Sequence, residues 1–120
     1  MSVRPELPMS RLDHVGIPTT EEKPGAEYLP ADGVWITNPR SHPLGIEWVR
    51  HTPESRMPAR LQQEPHLAFR VDALAPYLLA HEVLVPPFAL GRVEIAFVDV
   101  DGVIVELLDF KETNEEEWVA

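Results

Sequence analysis

Cysteine is absent from this chain of 120 residues. No disulfide framework, thiolate metal site or cysteine nucleophile is therefore available. A chain without cysteines suits a reducing compartment, and the expected location is the cytoplasm. No apolar run approaches the ~20 residues needed to span a bilayer. The first residues lack an apolar stretch behind a basic flank, so no signal peptide is expected either. Basic residues are also scarce: ten Lys and Arg stand against twenty Asp and Glu, for a formal net charge of -10. Nucleic acid or an anionic membrane would meet a repulsive field that no Lys/Arg cluster offsets, which sets both aside as partners. Part of the acid excess is local. Glu112, Glu115, Glu116 and Glu117 fall in residues 111–120, which read as a solvated acidic tail.

What remains is an ordinary globular composition, 44% hydrophobic and 25% charged, long enough to bury a core as one domain. Residues 1–10 carry two prolines and little pattern and read as a loose arm. Strands are expected over 11–17, 33–38 and 44–51. Pro24, Gly25 and Pro30 leave space for at most a turn or two of helix over 19–32. Residues 52–64, with two prolines and several charges, read as the linker between half-domains of about 11–52 and 65–110. The second half is clearer. A strand over 65–71 precedes a helix capped by Asp72 and running to about 81. A short strand over 83–85 follows, ending at Pro86-Pro87. Strands over 92–100 and 103–110 are joined by an Asp101-Gly102 hairpin turn. The order is β-α-β-β-β, and the first half repeats it with its helix shortened or lost. The expected class is α+β.

Each half carries a histidine near its start and a glutamate near its end. The first reads Asp13-His14-Val15-Gly16-Ile17, then Gly45-Ile46-Glu47-Trp48-Val49. The second reads Pro65-His66-Leu67-Ala68-Phe69, then Val105-Glu106-Leu107-Leu108. An ionisable group inside an apolar strand is costly to bury unless it has a partner. Two imidazoles and two carboxylates are enough to hold one divalent metal. Strand parity supports the grouping. In all four strands the face away from the ionisable residue is apolar, whereas the face bearing it is mixed, with Gly16, Gly45 or Ala68 nearby. If the strands over 92–100 and 103–110 paired with their apolar rows together, Glu94 and Glu106 would share a face.

Leu12-Asp13-His14-Val15-Gly16-Ile17, His66-Leu67-Ala68-Phe69-Arg70-Val71 and Ile95-Ala96-Phe97-Val98 followed by Asp101-Gly102-Val103-Ile104-Val105-Glu106-Leu107 resemble the vicinal oxygen chelate superfamily. Its members include glyoxalase I, methylmalonyl-CoA epimerase, extradiol dioxygenases, fosfomycin resistance enzymes and bleomycin resistance proteins. The resemblance covers about residues 11–110, and glyoxalase I and the epimerase are closest in motif. It implies two βαβββ modules forming a partial barrel, often as a homodimer, with the first helix shortened or missing in this chain. It also implies metal ligands at His14, Glu47, His66 and Glu106, and a catalytic base at Glu47 or Glu106.

Imidazole and carboxylate ligands suit Zn, Ni, Co, Mn or Fe(II), and the sequence does not choose among them. The resemblance implies a lyase or isomerase acting on a small-molecule substrate by proton transfer next to a carbonyl. The alternatives are an Fe(II) extradiol-type dioxygenase and a non-catalytic antibiotic-binding protein of the same fold, whose acidic charge would attract a cationic drug. Arg70, Trp35 and Glu94 are candidate substrate contacts. The parity of Trp48 favours the core, and His42 and His51 are expected at the surface.

Overall fold

The structure, a computed structural model, describes residues 5–111. Residues 1–4 of the arm and 112–120 of the acidic tail lie outside the described residues. The chain divides into two compact units, His14–His66 and Leu67–Ala120 with Met1–Asp13. Its elements are β1 (Leu12–Pro18), β2 (Glu27–Leu29), β3 (Val34–Ile36), β4 (Ile46–His51), helix α1 (Ala59–Gln63), β5 (His66–Arg70), helix α2 (Ala75–Ala80), β6 (Glu82–Leu90), β7 (Val93–Val100) and β8 (Val103–Phe110). The fold is α+β, and the two modules repeat one another. In the first the strand order is β2-β3-β4-β1 and in the second β6-β7-β8-β5. The opening strand of each module therefore sits at the end of its four-stranded order, beside the module's last strand.

In the first module β1 and β4 run parallel, with Gly16 beside Glu47 and Ile17 beside Trp48. The antiparallel β4-β3-β2 ladder extends from there. No helix forms over residues 19–32, as the prolines require; the stretch ends in the three-residue β2. On the sheet face away from Glu47, the stem of Lys23 lies over Trp48, with Nζ 4.4 Å from the ring centre. Arg50 lies over Trp35 at 5.3 Å. Both cations stand within the range of cation–π attraction to an indole face.

The expected linker is not wholly irregular. Ala59–Gln63 forms a short helix behind Pro58 and buries Leu61. The five residues are good helix formers, and no proline intervenes before Pro65.

The second module packs α2 on one face of its sheet. Phe69, Val71, Leu74, Ala96, Val98, Val105 and Leu107 make the core there, with Tyr77 and Leu78 packed against it. Asp72 does not cap α2, contrary to the sequence reading. The cap position falls at Leu74, with no side-chain cap, and Pro76 stands in the first turn. Asp72 instead meets Arg11 at 2.6 Å in an exposed ion pair of the kind that adds little stability. The arm is not loose over its described part: Leu7 packs against the same core, and the Tyr77 hydroxyl donates to the Glu6 carbonyl at 2.9 Å.

Strand β6 is longer than expected. It runs through Pro86-Pro87 because the register with β7 shifts between Val83 and Val85 and again between Val85 and Phe88. Prolines are tolerated at such a bulged edge, where the ladder needs no donor from them. The β7–β8 hairpin closes as expected. Asp101 and Gly102 both take positive φ, and Val100 pairs with Val103.

Candidate metal centre

Strand alternation places His14 and Gly16 of β1 on the face that also carries Glu47, Val49 and His51 of β4. His66 opens β5. All three candidate ligands of this unit are buried, with His14 2%, Glu47 5% and His66 8% exposed. Glu47 Oε1 stands 3.6 Å from His14 Nε2 and 3.9 Å from His66 Nε2. The two imidazoles meet edge to face, their ring centres 6.0 Å apart.

These separations decide between two readings of the cluster. A hydrogen bond from imidazole to carboxylate would close to about 2.7–3.2 Å. Donor atoms sharing one tetrahedral ion at bond lengths near 2.1 Å lie about 3.4 Å from one another. Both Glu47 contacts are too long for the first and close to the second. Nε2 of His14 and of His66 makes no hydrogen bond, although each residue has other contacts. The buried group His14, Glu47 and His66 is therefore able to hold a metal ion, with donor atoms within 4.8 Å of one another. Two neutral imidazoles and one carboxylate are a donor set for Zn, Fe(II) and their neighbours.

Glu106 lies in the other unit, on β8, and is also buried, at 6%. Its face of the hairpin is opposite to the one packed under α2, because it pairs with Phe97 while Val105 pairs with Val98.

The remaining candidates take different places. Glu94 pairs with Asp109, so it lies on the opposite face from Glu106 and faces Lys111 at 3.4 Å. The expectation of a shared face fails because the two-residue turn sets the register, pairing Phe97 with Glu106 instead of aligning the apolar rows. Arg70 donates through Nε to Asp13 Oδ1 at 2.8 Å, and the Asp13 side chain is fully buried. Trp35 pairs with Arg50 and shares a shallow groove with Trp48, Thr19, Lys23 and Thr37, on the sheet face away from Glu47. Trp48 is half-buried in that groove instead of lying in the core.

The sequence reading missed Gly16 and His51. His51 is half-buried, not superficial, and its Nδ1 lies 2.8 Å from Ser55 Oγ. Its place two residues along β4 from Val49 and four from Glu47 was a usable signal. Burial, with the charge of His66 in addition, pushes its pKa below the ordinary 6.5, against a smaller opposing hydrogen bond to Leu61. A lowered folded value means that the unfolded chain takes up a proton which the folded protein resists. The stability present above pH 6.5 is then lost as the pH falls through the folded value. Urea midpoints measured with chelator from pH 7.5 downward should decline more shallowly in His51→Gln than in the parent. Parallel curves would remove His51 as a cause.

No family model matches the chain, and no curated protein matches it. Among solved structures, it is similar to the crystal structure of a hypothetical protein from Bacillus halodurans C-125. The TM-score is 0.60 at 23% identity, over 87% of this chain and 96% of that one. That likeness extends to the fold. Among the described residues, no helix is long and apolar enough to cross a membrane.

Proposed function

We propose that the protein is a metal-dependent enzyme of the vicinal oxygen chelate type, a lyase or isomerase that moves a proton next to a carbonyl. The observation that carries this reading is the buried His14–Glu47–His66 group, spaced for a shared ion and not for hydrogen bonds. The family resemblance carries Glu106 over as the fourth ligand, and it is buried on the closing strand of the second module. The repeated strand order is compatible with the fold that the family resemblance implies.

When bound, the metal would supply Lewis acidity that stabilises negative charge developing on a carbonyl oxygen. The two histidines would supply the imidazole donors and orient the set. Glu47, beside both imidazoles, is the base that accepts the proton from carbon and returns it, with Glu106 as its counterpart. Such a shuttle requires a base within reach of the proton it moves. Arg70, Trp35 and Glu94 lose ground as substrate contacts, since each is already engaged or faces elsewhere.

A second reading has an observation of its own. Two histidines and one carboxylate in a single unit are the donor set of non-haem Fe(II) oxygenases, which favours the extradiol-type alternative. Glu106 separates the two. For the four-ligand enzyme, Glu106→Gln should lower zinc affinity at least about tenfold and abolish deuterium exchange next to the carbonyl of a 2-oxo substrate. For the oxygenase, the Fe(II)-loaded protein should consume oxygen with a catechol. Purified protein without bound metal, by elemental analysis, would overturn both and leave the antibiotic-binding alternative.

The same proposal places the protein in the cytoplasm, on its lack of cysteine, and makes it a homodimer. Edge-to-edge strand pairing is not the expected contact, since β2 has three residues and β6 is bulged at its prolines. Light scattering decides this, and a mass of 13.6 kDa would count against a dimer.

A further inference from the structure

Gly16 stands between the ligands without contributing an atom to them. It lies two residues after His14 in β1 and beside Glu47 in the β1–β4 register. A β-carbon built on it would fall on the imidazole of His66, against Cε1 and Nε2 and 2.6 Å from Nδ1, closer than real β-carbons ever approach. The imidazole of His66 therefore rests on the bare backbone of β1. No other residue type leaves that seat open, because alanine already fills it.

The backbone gives no separate reason for glycine here. Gly16 is a strand residue outside the positive-φ glycines, so its conformation is one that alanine adopts freely. On backbone grounds alone, Gly16→Ala would reduce the freedom of the unfolded chain and be neutral or stabilising. Any cost must then come from the displaced ring.

We infer that Gly16 is a positioning residue: the absence of its side chain sets the place of the His66 imidazole and thereby the spacing of the donor group. The inference rests on His66 acting as a ligand, but its packing half is testable without metal. His66 is buried, so a ring pushed off this seat has little free volume to enter.

The test is a double-mutant cycle on the full chain, read in two ways. With chelator present, Gly16→Ala should lower the thermal midpoint by several degrees in the parent. The same substitution should cost nothing, or raise the midpoint, in the His66→Ala background, where the ring is gone. In zinc titration calorimetry, Gly16→Ala should weaken binding by about 10- to 100-fold, the range for groups that orient a metal ligand. If Gly16→Ala fails to fold, recovery of the fold in Gly16→Ala/His66→Ala supports the inference. Equal costs in both backgrounds, an unfolded double variant or unchanged zinc affinity overturns it. A parent protein that binds no zinc while the cycle still shows relief by His66→Ala would sink the proposed function and leave the packing result standing.

Discussion

Replacing His66 with alanine should abolish the stoichiometric metal binding proposed for the protein and leave the fold in place. His66 supplies one of the two imidazoles of the buried group, 3.9 Å from Glu47 Oε1. Without it, the proposed ligand set keeps a single histidine beside its carboxylates and loses half of its imidazole donors. The loss in affinity should exceed the roughly 10- to 100-fold seen for residues that merely orient a ligand. The fold should survive because the ring lies at the margin of β5 and not in the apolar core under α2. Its Nε2 makes no hydrogen bond, so alanine breaks none at that atom. The expected stability cost without metal is that of an average substitution, about 1 kcal/mol and below about 3 kcal/mol. Elemental analysis by mass spectrometry measures the metal, and circular dichroism the fold. Metal content equal to the parent's in a folded His66→Ala protein would remove His66 from the site. The same experiment on His14→Ala, whose Nε2 is 3.6 Å from Glu47 Oε1, should give the same loss.

Stripping the metal should lower the thermal midpoint of the parent by about 10 °C. An ion bound by the folded state alone stabilises it by about 2.7 kcal/mol at a free concentration one hundred times Kd. With about 2.1 cal/mol/K of unfolding entropy per residue, each kcal/mol moves the midpoint of a domain of this size by about 4 °C. Three ionisable side chains sit almost fully out of water in one group, so the ion also offsets a desolvation cost that the stripped protein bears alone. The shift should shrink in acid, because protons compete with the ion for the imidazoles and the carboxylate. It should vanish in His66→Ala. Differential scanning calorimetry with and without chelator reads both effects. A midpoint that zinc and chelator leave unmoved would mean that the group is a buried polar cluster and nothing more.

The two modules were legible in the sequence because their signals are local. Alternating apolar residues mark β1, β4, β5, β7 and β8, and Asp101-Gly102 marks the hairpin. Pro24 and Pro30 remove the first helix by stereochemistry alone. The failures have local explanations too. Asp72 is a good cap by residue type, but Leu74 begins the helix and Asp72 turns to Arg11. Pro86-Pro87 looks like a strand end, yet a bulged edge carries it. Glu94 was placed by the apolar rows, when the two-residue turn already dictated that Val100 face Val103.

The residue types alone settled that a thiol site is impossible, that the net charge is strongly negative, and that His14, Glu47, His66 and Glu106 each interrupt an apolar strand. Only the tertiary structure decided that Glu47 reaches both imidazoles, that Trp35 turns away from them, and that the empty position at Gly16 receives the ring of His66. The reason is that periodicity along one strand assigns a side chain to a face, whereas a donor set arises from pairing between strands remote in the chain. That pairing, and the atoms it brings within a few ångströms, is a property of the folded protein and of no single segment.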